Sequence, residues 1–275
     1  MIPAEFDYVA PDSLDDAIQA LASGGEDAKA LAGGHSLIPL MKLRLAAPTL
    51  LVDLRKLSDL RGVRRENGSF RIGALTTHAQ LSQAAELGVA AHAAGKIADQ
   101  QVRNRGTIGG SLAHGDSASD LAAVLLAAEG SLVARGPNGE REIAARELFV
   151  DYLTTSLADD EIITEVRLPA MDGWSFAYEK FTRRAEDWAM VGVCAMVRGD
   201  MEDVRVALTN MGGTPIRAEA VEGVLRGQSR DAIAQAAEHA GEGADPPGDL
   251  NATPDYKRHL ARVLTRRALE KAAGG

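Results

Sequence analysis

Between Asp12 and Ser23 the apolar residues Leu14, Ala17, Ile18 and Leu21 recur on one face at helical spacing, with acids in the first turn and Gly24-Gly25 behind. This pattern predicts a short amphipathic helix with a polar cap at its start and a glycine stop. A run of small apolar residues from Ala28 to Ala32 then halts at Gly33-Gly34, as a buried strand does when it feeds a glycine turn. The segment SLIPLMKLRLAAP is ambiguous, since Pro39 limits helix on its N-terminal side, whereas TLLVDL (Thr49 to Leu54) reads as a buried strand. The first 55 residues thus form a small α/β unit.

A second stretch opens with two short strands around Asn67-Gly68, a hairpin signature. A helix is predicted over Thr77 to Glu86, ending near Gly88, and the segment AAHAAGKIADQQVRNR then leads into the glycine cluster GTIGGSLAHGDSASD. An apolar helix follows from Asp120, then a hairpin at Pro137-Asn138-Gly139 and a strand that ends at Pro169. Beyond Gly173 the pattern changes. SFAYEKFT, VGVCAMVR and DVRVALTN are β-type runs at hairpin spacing, which predict an antiparallel sheet. Helical patterns at Ala218–Arg226, Asp231–Ala240 and Asp255–Lys271 close the chain. The expected domains are 1–170, subdivided near 55, and 171–275.

Composition narrows the function. At 275 residues and 45% hydrophobic the chain can bury more than one core. A net charge of −9, no basic tract and 4% aromatics argue against a nucleic-acid partner. No apolar run reaches the roughly 18 residues of a membrane span, and the first residues show no cationic-then-apolar leader, so a cytoplasmic protein is expected. The one cysteine, Cys194, excludes an internal disulfide, a four-thiolate zinc site and any iron–sulfur cluster held by this chain alone. Set in VGVCAMV, it reads as a small core residue.

Glycine, at 28 residues, carries the candidate chemistry. Neither a Walker-type loop nor G-x-G-x-x-G occurs. Instead there are two glycine pairs, Ala32-Gly33-Gly34-His35-Ser36 and Thr107-Ile108-Gly109-Gly110-Ser111. Without a Cβ, each can turn consecutive backbone N–H groups toward one point. Either pair alone reads as a tight turn; the two together favour a diphosphate, one phosphate to each loop. His35 and His114 flank these loops and are candidates to line a pocket, but the six histidines show no metal-ligand spacing. The set His114, Asp116, Ser117, Ser119, Asp120 lacks a nucleophile elbow.

The runs LAGGHSLIPLMKLRLAAPTLLVDL, QVRNRGTIGGSLAHGDSASDLAAVLLA and YEKFTRRAEDWAMVGVCAMV resemble the FAD-binding medium subunit of molybdenum hydroxylases. That group includes the aerobic carbon monoxide dehydrogenases and is similar to the flavin domain of xanthine dehydrogenase. The resemblance spans nearly the whole chain. It implies an α+β protein: a two-part flavin-binding domain of the vanillyl-alcohol-oxidase (PCMH) type, then a small α+β domain with an antiparallel sheet. It implies that Ala32, Gly33, Gly34, His35 and Ser36 grip the FAD pyrophosphate together with Thr107, Ile108, Gly109, Gly110 and Ser111. It places Asp120 at the adenosine half, Ile97 and Ile163 against the flavin, and the Lys180 ammonium near the flavin N1/O2 side. Thr76 and Thr77 sit where the family brings hydroxyls near the ring. Arg103 and Arg105 stay open between phosphate contact, interdomain contact and solvent, while Tyr178 and Trp188 are expected to pack in the core, ahead of the alternative that they stack on the flavin.

The same resemblance implies an electron-transfer subunit that has no catalytic side chain or metal of its own. It works beside a small subunit with [2Fe–2S] clusters and a large subunit with the molybdenum cofactor, in a dimer of heterotrimers that serves an external acceptor. The lone cysteine agrees with clusters held elsewhere. A stand-alone flavin-dependent reductase or oxidase of the same fold, or a scaffold that has lost FAD, are the alternatives.

Overall fold

The computed structural model describes residues 2–274. The first unit contains β1 (Asp7–Val9), α1 (Leu14–Gly24), β2 (Ala28–Leu31), α2 (Leu37–Lys42) and β3 (Leu50–Asp53). Ser13 caps α1, its hydroxyl accepting from the Asp16 N–H at 3.1 Å. Ala17, Ile18 and Leu21 are the buried face, and Gly25 ends the helix at φ 63°. The strands form a parallel sheet in the order β1-β3-β2.

The second unit runs β4 (Val63–Glu66), β5 (Ser69–Gly73), α3 (His78–Gln83), α4 (Val89–Gly95), α5 (Gln100–Arg105), α6 (Ile108–His114) and α7 (Asp120–Ala127). It continues through β6 (Ser131–Gly136), β7 (Gly139–Ala144), α8 (Ala145–Leu148), the small hairpin β8 (Phe149–Asp151) with β9 (Thr154–Thr155), and β10 (Ile162–Pro169). A five-stranded antiparallel sheet of order β4-β5-β10-β6-β7 backs the helices. The polar-apolar segment that carried no predicted element is α4 and α5. Asp99 separates them by capping α5, accepting from the Val102 N–H at 2.8 Å. The second glycine cluster, expected as a turn, is largely helical, because Gly109 and Gly110 lie in α6.

The third unit comprises β11 (Trp174–Phe181), β12 (Val191–Arg198), β13 (Asp203–Thr209), β14 (Ile216–Arg217), α9 (Glu219–Leu225), α10 (Ile233–Ala237) and α11 (Pro254–Gly274). The strands make an antiparallel sheet in chain order. The helix expected over Asp231–Ala240 is broken, with α10 flanked by 3-10 turns. Strand β12 explains its unbroken apolar sequence. Val191, Val193, Ala195 and Val197 face α9–α11, while Cys194 and Met196 join the core of the second unit on the other side. A strand covered on both faces has no need of polar alternation. Through this second face α7, whose eight residues are all buried, is clamped between the two sheets.

Candidate functional site

The first glycine loop leaves β2 and enters α2. Gly34 has φ +75°, a region that L side chains avoid, and turns the chain there. The backbone N–H groups of Gly33, Gly34, His35 and Ser36 donate to no acceptor among the described residues, and only at Ile38 does the helical pattern begin, its N–H reaching Gly34 O at 3.1 Å. His35 Nδ1–H donates back to the Gly33 carbonyl at 3.0 Å, which leaves Nε2 free. The result is a half-exposed loop with a row of unengaged donors, the arrangement that binds an oxyanion.

The second loop, expected to hold the other phosphate, is arranged differently. Ile108 N–H donates to Thr76 O at 3.1 Å, Gly109 N–H to Ala74 O at 2.9 Å and Ser111 N–H to Thr107 O at 3.0 Å. Gly110 N–H donates to Thr107 Oγ1 at 3.2 Å, so Thr107 is the cap of α6. Positive φ is not needed at Gly109 or Gly110. Close approach is the reason for glycine at 109, where a Cβ would stand 2.5 Å from the Ala74 Cβ and 2.8 Å from its carbonyl oxygen. The two loops nevertheless meet. A Cβ on Gly33 would overlap the Arg105 carbonyl and lie 2.8 Å from Gly106 Cα, while one on Gly110 would stand 3.4 Å from the Ala32 Cβ.

From this junction the remaining candidates follow by contact. Ser111 Oγ lies 2.9 Å from Ser119 Oγ, which brings the second loop to the start of α7 and so to Asp120. Asp120 is buried; its Oδ2 accepts from Lys180 Nζ at 3.1 Å and its Oδ1 from Tyr178 Oη at 2.6 Å. Lys180 Nζ also reaches the Lys96 carbonyl at 3.3 Å, beside Ile97. Burial pushes the Asp120 carboxyl up, against the pull of the Lys180 ammonium, and burial together with the Asp120 charge raises the Tyr178 phenol well above its usual range. Ile163 is buried in β10 at a bulge, one residue before Thr164, whose carbonyl accepts from the Ala74 N–H at 3.0 Å. His114, by contrast, is half-buried at the far end of α6, and burial lowers its pKa.

Several expectations change on this geometry. Asp120 and Lys180, expected at different parts of the cofactor, lie together as one buried ion pair at 3.1 Å. The Thr76 hydroxyl is engaged with Gly62, accepting from its N–H at 2.9 Å and donating to its carbonyl at 3.2 Å, and Thr77 is tied into a capping box with Gln80. Both hydroxyls are engaged within the protein. Arg103 donates from Nη1 to the carbonyls of Ile97 and Ala98, both at 2.7 Å, and so braces the bend where Ala98 takes φ +41°. Tyr178 is core, as expected, but Trp188 is 71% exposed. Cys194 is buried, and burial pushes its thiol up to about 12, which leaves it inert.

His78 carried no role in the sequence. It lies buried beneath the second loop, its N–H donating to Gly106 O at 2.9 Å and its ring filling the space a Cβ on Gly106 would enter. Burial lowers its pKa to about 4, helped by the nearby charges of His35 and Arg103, so the ring is neutral. Its Nδ1 has no hydrogen-bond partner among the described residues. No local spacing signals this role, since it depends on α3 and α5 meeting.

Comparison with known proteins matches the same frame. A family described as the FAD binding domain in molybdopterin dehydrogenase covers residues 4–171, and the CO dehydrogenase flavoprotein C-terminal domain covers 176–272. The chain is 41% identical to the carbon monoxide dehydrogenase medium chain of Hydrogenophaga pseudoflava over 99% of its length and 98% of that protein. It is 34% identical to the glyceraldehyde dehydrogenase medium chain of Sulfolobus acidocaldarius, over 99% of this chain and 100% of that one. A solved structure of the Hydrogenophaga pseudoflava carbon monoxide dehydrogenase lacking the Mo-pyranopterin moiety superposes with a TM-score of 0.96, at 42% identity, covering 100% of this chain and 99% of that one. The chain belongs to the family of FAD-binding medium subunits of molybdenum hydroxylases, with the two-part flavin-binding domain and the C-terminal domain of that family.

Proposed function

We propose that this chain is the FAD-carrying electron-transfer subunit of a molybdenum-containing hydroxylase or dehydrogenase. The observation that carries the reading is the run of unengaged N–H donors from Gly33 to Ser36, pressed against a second glycine loop. These residues fit a dinucleotide diphosphate, because backbone donors and bare glycine admit a close oxyanion without a cationic side chain. FAD, when bound, supplies the redox chemistry at its ring. The chain's part is to hold and tune. Residues 32–36 donate to the diphosphate, and Thr107, Ile108, Gly109, Gly110 and Ser111 form the wall that fixes the first loop's position. Ile97 and Ile163 supply apolar surface, and the Lys180 ammonium, kept in place by Asp120, stabilises negative charge on the cofactor.

With one cysteine, the chain depends on a separate subunit for iron–sulfur clusters. We infer a small cluster-bearing partner, a large molybdenum-bearing partner, assembly as a dimer of heterotrimers and a cytoplasmic setting with an external acceptor. No helix among the described residues is long and apolar enough to cross a membrane. We divide the chain at residue 170 into the flavin-binding domain and the C-terminal domain. The relatives named for carbon monoxide and for glyceraldehyde share this subunit's architecture, which supports substrate choice by a different chain. The test is co-expression with the neighbouring genes, purification, and titration of the cofactor-free chain with FAD. One FAD per chain and co-purification of an iron–sulfur protein are expected. Full turnover of an organic substrate by the isolated chain would overturn the subunit assignment, and absence of FAD binding would overturn the cofactor.

A further inference from the structure

The interior face of the C-terminal sheet carries a charge group that the cofactor reading leaves half explained. Asp120, at the first turn of α7, receives the Tyr178 hydroxyl on one oxygen at 2.6 Å and the Lys180 ammonium on the other at 3.1 Å. All three side chains are buried, with Lys180 5% exposed and Asp120 6%. An ammonium has three N–H bonds. Lys180 directs two of them, to Asp120 and to the Lys96 carbonyl, and the third has no acceptor among the described residues. Lys96 returns the contact, its Nζ donating to the Tyr178 carbonyl at 2.8 Å.

The backbone is cut to fit this group. Gly192 pairs with Lys180 on one side and Thr209 on the other. A Cβ at Gly192 would stand 2.6 Å from Tyr178 Oη and 2.9 Å from Thr209 Oγ1. Glycine there leaves the phenol hydroxyl free to reach α7.

We propose that Tyr178 is a positioning residue: by sharing the Asp120 carboxylate it limits how far that carboxylate neutralises Lys180, and so sets the charge that Lys180 presents to the cofactor site. The physical basis is competition. A carboxylate that already accepts a short hydrogen bond from a phenol carries less charge density on the oxygen facing the ammonium. Without the phenol, Asp120 draws the ammonium more tightly to itself, and less of its charge remains for an anionic cofactor.

This rests on the FAD reading for its consequence but not for its geometry, and the experiment separates the two. In the cofactor-free full chain, with lysine side chains labelled with ¹⁵N, the Lys180 ammonium signal is identified by its loss in Lys180→Met. It is expected to move in Tyr178→Phe, while the signal of Lys257, buried in the same domain against Asp249, stays in place. With FAD bound, Tyr178→Phe is expected to lower the flavin midpoint potential, in the same direction as Lys180→Met and by a smaller shift. If Tyr178→Phe fails to fold, Gly192→Ala displaces the hydroxyl while keeping the ring and is expected to give the same two shifts. A Lys180 signal unmoved in the folded variant, or a midpoint potential unchanged or raised, overturns the proposal. Loss of folding stability alone with both readouts unmoved marks Tyr178 as packing only, which also overturns it. Failure of the wild-type chain to take up FAD would refute the cofactor reading and leave the ammonium measurement to decide whether Tyr178 competes with Lys180 for Asp120.

Discussion

The two glycine loops look alike in sequence and do different work. Both follow an apolar segment, both contain Gly-Gly, and both end in serine. In the first, the N–H groups of Gly33 to Ser36 have no acceptor among the described residues and Gly34 occupies positive φ. In the second, the four N–H groups from Ile108 to Ser111 are all engaged by Ala74, Thr76 and Thr107. The first loop is open to a ligand; the second is a packed helix start that holds the first in place. A glycine pair therefore reports a bare backbone, and only the fate of its donors tells binding from packing.

The largest test of this contrast is Gly109→Val, which forces a side chain into Ala74. Stability should fall by roughly 3 kcal/mol, as for an overpacked core, measured as a lowered urea midpoint. A variant as stable as wild type would mean that α6 does not need its close approach. Next comes acid. His78 has a folded pKa of about 4, below its unfolded value of 6.5, so the unfolded chain binds more protons between those values and stability rises with pH across that window. Lowering pH through the window should remove up to about 3 kcal/mol. In His78→Asn this part of the slope should vanish, and an unaltered slope would place the acid sensitivity elsewhere.

Two smaller effects separate the loops directly. Ser36→Ala, which removes the hydroxyl donor beside the open row of N–H groups, should weaken FAD binding about tenfold, the loss of one hydrogen bond to a charged group, with no change in urea midpoint. Thr107→Ala, on the packed loop, removes the α6 cap and should cost about 1 kcal/mol of stability, with less effect on FAD affinity than Ser36→Ala. If calorimetric titration shows the reverse order, the assignment of roles to the two loops is wrong.

What the sequence by itself determined lies mostly in local pattern. Helix α1, the turns at Asn67-Gly68 and Pro137-Asn138-Gly139, and the antiparallel strands of the C-terminal sheet follow from periodicity and turn chemistry within a few residues. The family resemblance, resting on motifs of fixed residues, carried fold class and cofactor class. The tertiary structure decided everything that depends on which backbone or side chain meets which from far along the chain. Whether Gly109 is a ligand turn or a packing contact depends on Ala74. Whether Arg103 grips a phosphate or braces a bend depends on the carbonyls of Ile97 and Ala98. Asp120 and Lys180 are 60 positions apart in sequence, yet they form one buried pair because α7 is sandwiched between two sheets. Trp188 lies outside the core because its segment leaves the sheet before β12 begins. Every peptide unit outside proline carries the same N–H donor, so its availability is written only in the fold.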